Sequence, residues 1–346
     1  MLTYASERAA YEHFIEAFGD GLPLVLPTRD RVDDVVRSSG RDPEEIVGAI
    51  FPSGTLATVR DIAVNAVMAG LPATAFSIAL AAVEAAVDPV FNLNGLQATT
   101  HHAAPLIVVS GPLAASAGMN AGSNALGQGN RANATIGRAL RLVMMNVGGG
   151  YPGTTDMSVQ GSPAKAGFCY AERLDALPWP SLAHRQTARA GATTVTLFAA
   201  EGPHMVADHR SATADRLLLT IADTMRAPGS TNACIPGSMV VAICPQHAAI
   251  LAHDGFDPAT IAQALFERAR TPLERLKNAG EYDVARTGGF AAAYGSPDDP
   301  RPLVPVIARP ESLVVTVVGG LSGGFSSVIP SWPASTFVFR EVQGAA

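Results

Sequence analysis

Met239-Val240-Val241-Ala242-Ile243-Cys244-Pro245-Gln246-His247 is the stretch on which the fold turns. Apolar, largely β-branched residues give way at once to a proline and two polar side chains, which is how a buried strand ends in a loop. The same texture recurs elsewhere: Leu106 to Val109 runs into Ser110-Gly111-Pro112, Val195 to Phe198 into Glu201-Gly202-Pro203-His204, and Leu313 to Val318 into Gly319-Gly320. Helical stretches at 133–145, 212–225 and 257–270 lie between these runs, the last opened by Asp257-Pro258, a cap followed by proline. Strands alternating with helices predict an α/β fold with mostly parallel strands. Ligands in such sheets gather beyond the carboxyl ends of the strands, where the four loops converge.

Upstream of the first strand the chain reads as helical. Residues 4–18 form an amphipathic pattern with Tyr4, Ala9, Phe14, Ile15 and Phe18 on one side, stopped by Gly19 to Gly21. Leu22 to Pro27 is a short extended piece, and Asp42-Pro43-Glu44-Glu45 has the form of a capped helix start. Thr58 to Ala69 and Thr74 to Val87 are alanine-rich helices, whose small side chains permit close packing. The segments 146–167 and 287–302, rich in Gly, Pro, Ser and Asp, read as loops, and the first is long enough for a lid or binding loop. No repeat of fixed period is present, although four strand-loop units leave room for a duplicated fold. With a boundary near 180–195, the expectation is an N-terminal α/β domain over 1–190 with a helical start and a closely packed C-terminal α/β domain over 191–346.

The bulk numbers bound the function. With 346 residues, 48% hydrophobic and only 16% charged, the chain has ample material for a core and for oligomer-facing surface, so a homo-oligomer is expected. A net charge of −6, a pI near 5.7 and the absence of a lysine or arginine run disfavour nucleic acid as a partner. The N-terminus lacks an apolar secretory core and no apolar run reaches the ~18 residues of a membrane span. Three cysteines, Cys169, Cys234 and Cys244, are too few for a disulfide scaffold. These features predict a cytoplasmic protein with no membrane partner.

Several constellations carry chemistry. Asn133 reads as the N-cap of a helix from Ala134 to Asn146, with Gly127, Gly129 and Asn130 leaving backbone N–H groups to face an anion. Arg131 beside the cap, and Arg138 and Arg141 one turn apart, suit a carboxylate or another small anion. Asn130, Arg131, Asn133 and Arg138, joined by Ser110, Gly320 and Ser322 from the strand-end loops, make the expected substrate-binding set. Neither a Walker loop nor a dinucleotide fingerprint is present, since no Gly-Lys-Ser/Thr and no third glycine follow. The competing explanation is a capped helix whose arginines pair with acids elsewhere.

Cys169 ends the glycine-containing loop three residues before Glu172, and becomes a nucleophile or redox thiol if a histidine or helix terminus lowers its pKa. Core filling is the alternative for so commonly buried a residue. Cys244 reads as packing at a strand end, with His247 three residues on. Glu201-Gly-Pro-His204-Met-Val-Ala-Asp208-His209 collects two histidines and two acids at a strand end, as an acid–base or metal-ligand cluster would. Its spacing is not His-Glu-x-x-His, so no cofactor is predicted and a transition metal held by His204, Asp208, His209 and His247 remains an alternative. His101 and His102 precede a strand and can reach the same rim. Gly319 to Ser327 can form a nest of N–H donors or a plain tight turn.

The blocks Gly21-Leu22-Pro23-Leu24, Asn65 to Gly70, Gly129-Asn130-Arg131-Ala132-Asn133-Ala134-Thr135-Ile136-Gly137-Arg138 and Pro245-Gln246-His247-Ala248 resemble a bacterial family of cytoplasmic proteins related to the UGSC (seleno)protein family. That family is named for a motif U/C-Gly-Ser-Cys, so the resemblance implies a working thiol. No Cys-Gly-Ser-Cys occurs here, and a separate small thiol-bearing subunit is one way to supply it. The leading expectation is a hydrolase or lyase acting on a small anionic metabolite, with Cys169 as nucleophile, His204 and His209 for acid–base work and Glu172 or Asp208 orienting them. A metal-dependent hydrolase or lyase, and a non-catalytic subunit serving a thiol partner, are the alternatives.

Overall fold

The computed structural model describes residues 3–227, 230–272 and 303–343. The segment 287–302, read as a loop, lies outside them. The chain divides into two compact units, the first formed by Met1–Glu172, Ser181–Ala199 and Phe337–Ala346, the second by Arg173–Pro180 and Ala200–Thr336.

In the first unit, local signals place most helix ends. Ser6 caps the helix Glu7–Phe18 by accepting from Ala9 N–H, and Thr58 caps Val59–Ala69 in a capping box with Asp61. Gly70, in the left-handed region with φ 80°, ends the latter helix. Asp42-Pro43-Glu44-Glu45 does not open a helix. Asp42 accepts from Glu44 N–H in a turn, Arg41 grips Glu45, and the chain enters an antiparallel hairpin, Ile46–Ile50 against Thr55–Thr58. Hydrogen bonding and an ion pair thus outweigh the capping pattern. The helix Arg29–Ser39, which the sequence reading passed over, precedes this hairpin.

The helix Phe76–Ala86 is almost wholly buried, as its alanines allow. Beside it stands a four-stranded sheet in the order Val338–Glu341, Thr194–Ala200, Ala104–Ser110, Cys169–Ala171. The two central strands are buried along their whole length. The helix Arg131–Asn146 connects Ala104–Ser110 to its parallel neighbour Cys169–Ala171, making a β-α-β crossover.

The second unit has a sheet in the order Leu313–Val317, Met239–Ile243, Phe325–Pro330, His204–Ala207. Leu313–Val317 runs parallel to Met239–Ile243, and the helices Pro245–His253 and Pro258–Arg268 fill the crossover between them. Phe325–Pro330 is antiparallel to both of its neighbours. Leu217, Ile221, Val241, Ile243, Leu251, Ile261, Leu265, Val315 and Val317 form part of its core.

The expectation of mostly parallel strands is corrected. Helices and sheets do mix, but antiparallel pairing also joins Val338–Glu341 to Thr194–Ala200 and Arg270–Pro272 to Leu303–Pro305, and predominates. The reason is connection length: parallel neighbours need a crossover of about a dozen residues or more, whereas the short link 318–324 turns the chain straight back. No single helix among the described residues is long and apolar enough to cross a membrane.

Candidate thiol site

In the second unit, Met239–Ile243 ends at Cys244, which is the N-cap of the helix Pro245–His253, with Pro245 at the first helical position. His247 is therefore the third helical residue. N-cap and third-residue side chains face one another at a helix start, which is why a capping box works. Here those two places hold a thiol and an imidazole.

The surroundings fix both groups. Cys244 N–H donates to Ser326 Oγ at 3.0 Å, across the antiparallel pairing with Phe325–Pro330. Ser326 Oγ lies 2.8 Å from His247 Nδ1, and His247 Nε2 lies 2.8 Å from the Asp208 backbone oxygen. A carbonyl oxygen only accepts, so Nε2 carries a proton and Nδ1 is the basic nitrogen of the neutral ring. Ser326 accepts from the Cys244 amide and has its own hydroxyl proton to give to Nδ1. His247 has no exposed surface, and Cys244 is 4% exposed.

Burial by itself raises the Cys244 thiol, but the His247 side chain and amide and the Ser326 hydroxyl outweigh it, and the thiol titrates below its ordinary value. Burial by itself lowers His247; the neighbouring thiol and the Asp208 carbonyl reverse this and raise it. The two shifts share one contribution, since a thiolate and an imidazolium side by side stabilise one another, while the helix N-terminus favours the thiolate alone.

Asp208 is the anchor of this arrangement. Its carboxylate accepts from Ser211 N–H, Ser211 Oγ, Arg210 N–H and Thr220 Oγ1, and its amide donates to Gly324 O at 2.9 Å. Partial burial raises its pKa, but these hydrogen bonds hold it down to about 2. The carboxylate is a fixed anion that orients its own backbone carbonyl, and so His247. The glycine-rich segment closes over the same region: Gly323 N–H donates to Gln246 Oε1 and Gly324 N–H to His209 Nδ1, whose ring stands edge-on to Phe325 at 4.5 Å.

The remaining expected site residues fall as follows. His204 is exposed and begins the edge strand His204–Ala207, while Asp208 and His209 follow its other end, so the cluster read from sequence does not converge. Gly320 and Ser322 lie in the segment just described, with Ser322 exposed. Among the described residues no group of three or more His, Cys, Asp or Glu side chains is arranged to hold a metal ion.

In the first unit Cys169 is buried in its strand, and burial alone pushes its thiol far above the ordinary range. A thiol kept neutral in this way is a poor nucleophile. Glu172 is buried too, accepting at Oε2 from Ser110 Oγ at 2.6 Å and from Leu182 N–H at 2.8 Å, with the Arg185 guanidinium 3.9 Å from Oε1. Burial raises its pKa against the pull of these partners. Ser110 and Glu172 thus tie strand ends to the helix Leu182–Thr187.

The N-cap of Arg131–Asn146 is Asn130, three residues earlier than read from sequence, and its side chain accepts from Asn133 N–H. Asn133 is buried and binds the backbone of Asn120 and Ala125, which gives it a loop-fastening part instead of the cap. Arg131 donates to Gly70 O, and Arg138 makes a two-pronged pair with Asp20 at 2.7 Å. These arginines and Asn130 hold backbone and acid partners of the chain itself. Sequence reasoning took Cys244 as packing at a strand end and gave His247 only a part in the metal alternative, without pairing the two; the signal was the N-cap-to-third-residue spacing just before and after Pro245.

No family model matches the chain, and no curated protein matches it.

Proposed function

We propose that the second unit is a thiol-dependent enzyme of the hydrolase or lyase class, with Cys244 as nucleophile and His247 as its base. The carrying observation is the continuous hydrogen-bonded line from the Cys244 amide through Ser326 and His247 to the Asp208 carbonyl. In this reading the Ser326 hydroxyl, which meets both groups, takes the thiol proton as it passes its own to His247 Nδ1, and the sulfur attacks an electrophilic carbon of the substrate. The His247 imidazolium then gives a proton to the leaving group as its bond to the same carbon breaks. For an acyl substrate, water cleaves the resulting thioester with His247 again as base, which restores the thiol.

The test is the pH dependence of iodoacetamide alkylation, followed at each cysteine by peptide mass spectrometry on the folded protein. Cys244 is expected to be half-maximally reactive below the ordinary thiol pKa of about 8.5, with Cys169 unreactive across the same range. His247→Gln is expected to move the Cys244 midpoint upward. A Cys244 that titrates like a free thiol, or resists alkylation while the protein is folded, rules the reading out.

A further inference from the structure

The helix Arg131–Asn146 presents Arg131, Arg138 and Arg141, and they are not equivalent. Arg131 and Arg138 are paired as described above. Arg141 is 8% exposed, yet its one side-chain hydrogen bond among the described residues runs from Nε to the Lys165 backbone oxygen at 2.9 Å. A guanidinium has five N–H donors, so both terminal amino groups lack a protein acceptor, and neither is among the fully enclosed orphan atoms, so this edge of the side chain is open.

The nearest opposite charge does not answer them. Asp156 lies close enough to act on Arg141 through its charge, but both of its oxygens take Lys165 Nζ at 2.7 Å, and Oδ1 also takes Ser158 N–H. Lys165 and Asp156 cancel, which leaves the cluster with one uncompensated positive charge inside the first unit. An unpaired buried charge is costly to keep. Burial depresses the pKa of both Arg141 and Lys165, which is the same cost expressed as titration. The local packing nevertheless builds the arrangement: Gly137, one turn before Arg141, lets the backbone of Gly167 and Phe168 pass directly against the helix, and this brings the Pro163–Ala166 turn, with Lys165, over Arg141.

We propose that the free edge of Arg141 is a binding site for the carboxylate of a small monoanionic ligand, seated beside the Lys165–Asp156 pair. The two terminal amino groups form a planar fork that matches the two oxygens of a carboxylate. A single net positive charge balances one negative charge, and the Asp156 carboxylate beside it opposes a dianion such as phosphate. The site lies within the first unit and stands independently of the thiol reading.

The experiment is thermal unfolding of the full chain in sodium acetate, sodium phosphate and sodium chloride at matched ionic strength, with saturation-transfer NMR of acetate on the same samples. Acetate is expected to raise the midpoint saturably, by about 3–6 °C at ten times its dissociation constant, and to show saturation transfer, while phosphate raises it only in proportion to its concentration, by exclusion from the protein surface. Arg141→Gln is expected to melt higher than wild type in chloride, because an unpaired buried charge is gone, and to lose both acetate effects. Arg131→Gln, whose side chain holds only Gly70 O, is expected to keep them. If Arg141→Gln does not fold, the wild-type saturation transfer and its survival in Arg131→Gln still decide. Equal midpoints in acetate and chloride, a saturable response to phosphate as large as to acetate, or loss of transfer in Arg131→Gln each overturn the proposal.

Discussion

Gly324 occupies a place where no side chain fits: a Cβ there would overlap the Asp208 carbonyl oxygen, the atom that receives His247 Nε2–H. Gly324→Ala must push that carbonyl away, and with it the imidazole. The expected outcome is a loss of about 1–3 kcal/mol in urea unfolding, together with a rise in the pH at which Cys244 alkylates. A variant that loses stability but keeps the wild-type alkylation profile would uncouple Asp208 from the thiol. Gly137 shows the same principle in the first unit, where a Cβ would come within 2.5 Å of Phe168 N. Gly137→Ala is expected to destabilise by a similar about 1–3 kcal/mol in thermal or urea unfolding, because backbone, and not a yielding side chain, stands in the way. At this scale the sequence was legible in kind and not in place. It singled out thiols, histidines and arginines, but whether Cys169 or Cys244 meets an imidazole depends on partners such as Ser326, which lies 82 residues from Cys244.

Among elements, the junction between the strand His204–Ala207 and the helix Ala214–Met225 rests on Asp208, whose carboxylate reaches Thr220 on that helix. A carboxyl held at about 2 in the folded chain and near its ordinary value of about 3.9 in the unfolded chain stabilises the fold above pH 4. That contribution is lost as the pH falls through the interval from about 4 to about 2. Wild type is therefore expected to unfold at higher urea than Asp208→Asn at pH 6, and the gap is expected to close as the pH is lowered to 2. A gap constant with pH would remove the charge from the explanation. Helices with a local cap and a glycine stop, as at Thr58 and Gly70, were readable from sequence, whereas Arg29–Ser39, whose N-cap Thr28 makes no side-chain hydrogen bond, was not. The short strands were not. His204–Ala207 buries only Val206, and Cys169–Ala171 has three residues, so neither shows a period that could be recognised without its neighbours.

Across the whole chain, the two sheets share one order. Leaving out the far edge strand, each has, from the parallel edge, its second strand in sequence, then its first, then its third, and the far edge strand in each follows directly from the third strand of the other unit: His204–Ala207 comes after Thr194–Ala200, and Val338–Glu341 comes after Phe325–Pro330. Duplication of one α/β unit with reciprocal exchange of the edge strand would produce this pattern. The sequence allowed for duplication but not for exchange, since pairing partners so distant leave no local trace. The consequence is testable at the C-terminus. Val338–Glu341 pairs with residues 194–197, Val342 N–H donates to Thr193 O at 2.8 Å, and Arg340 pairs with Asp88 at 2.6 Å, all in the first unit. Deleting residues 337–346 therefore uncovers an edge formed by residues far earlier in the chain. Amide exchange over 194–197 is expected to quicken by about tenfold or more, as a local loss of about 1.4 kcal/mol would give, while Met239–Ile243 in the second unit keeps its protection. If the second unit loses protection first, sequence proximity rather than sheet membership governs stability, and the exchanged-strand description fails.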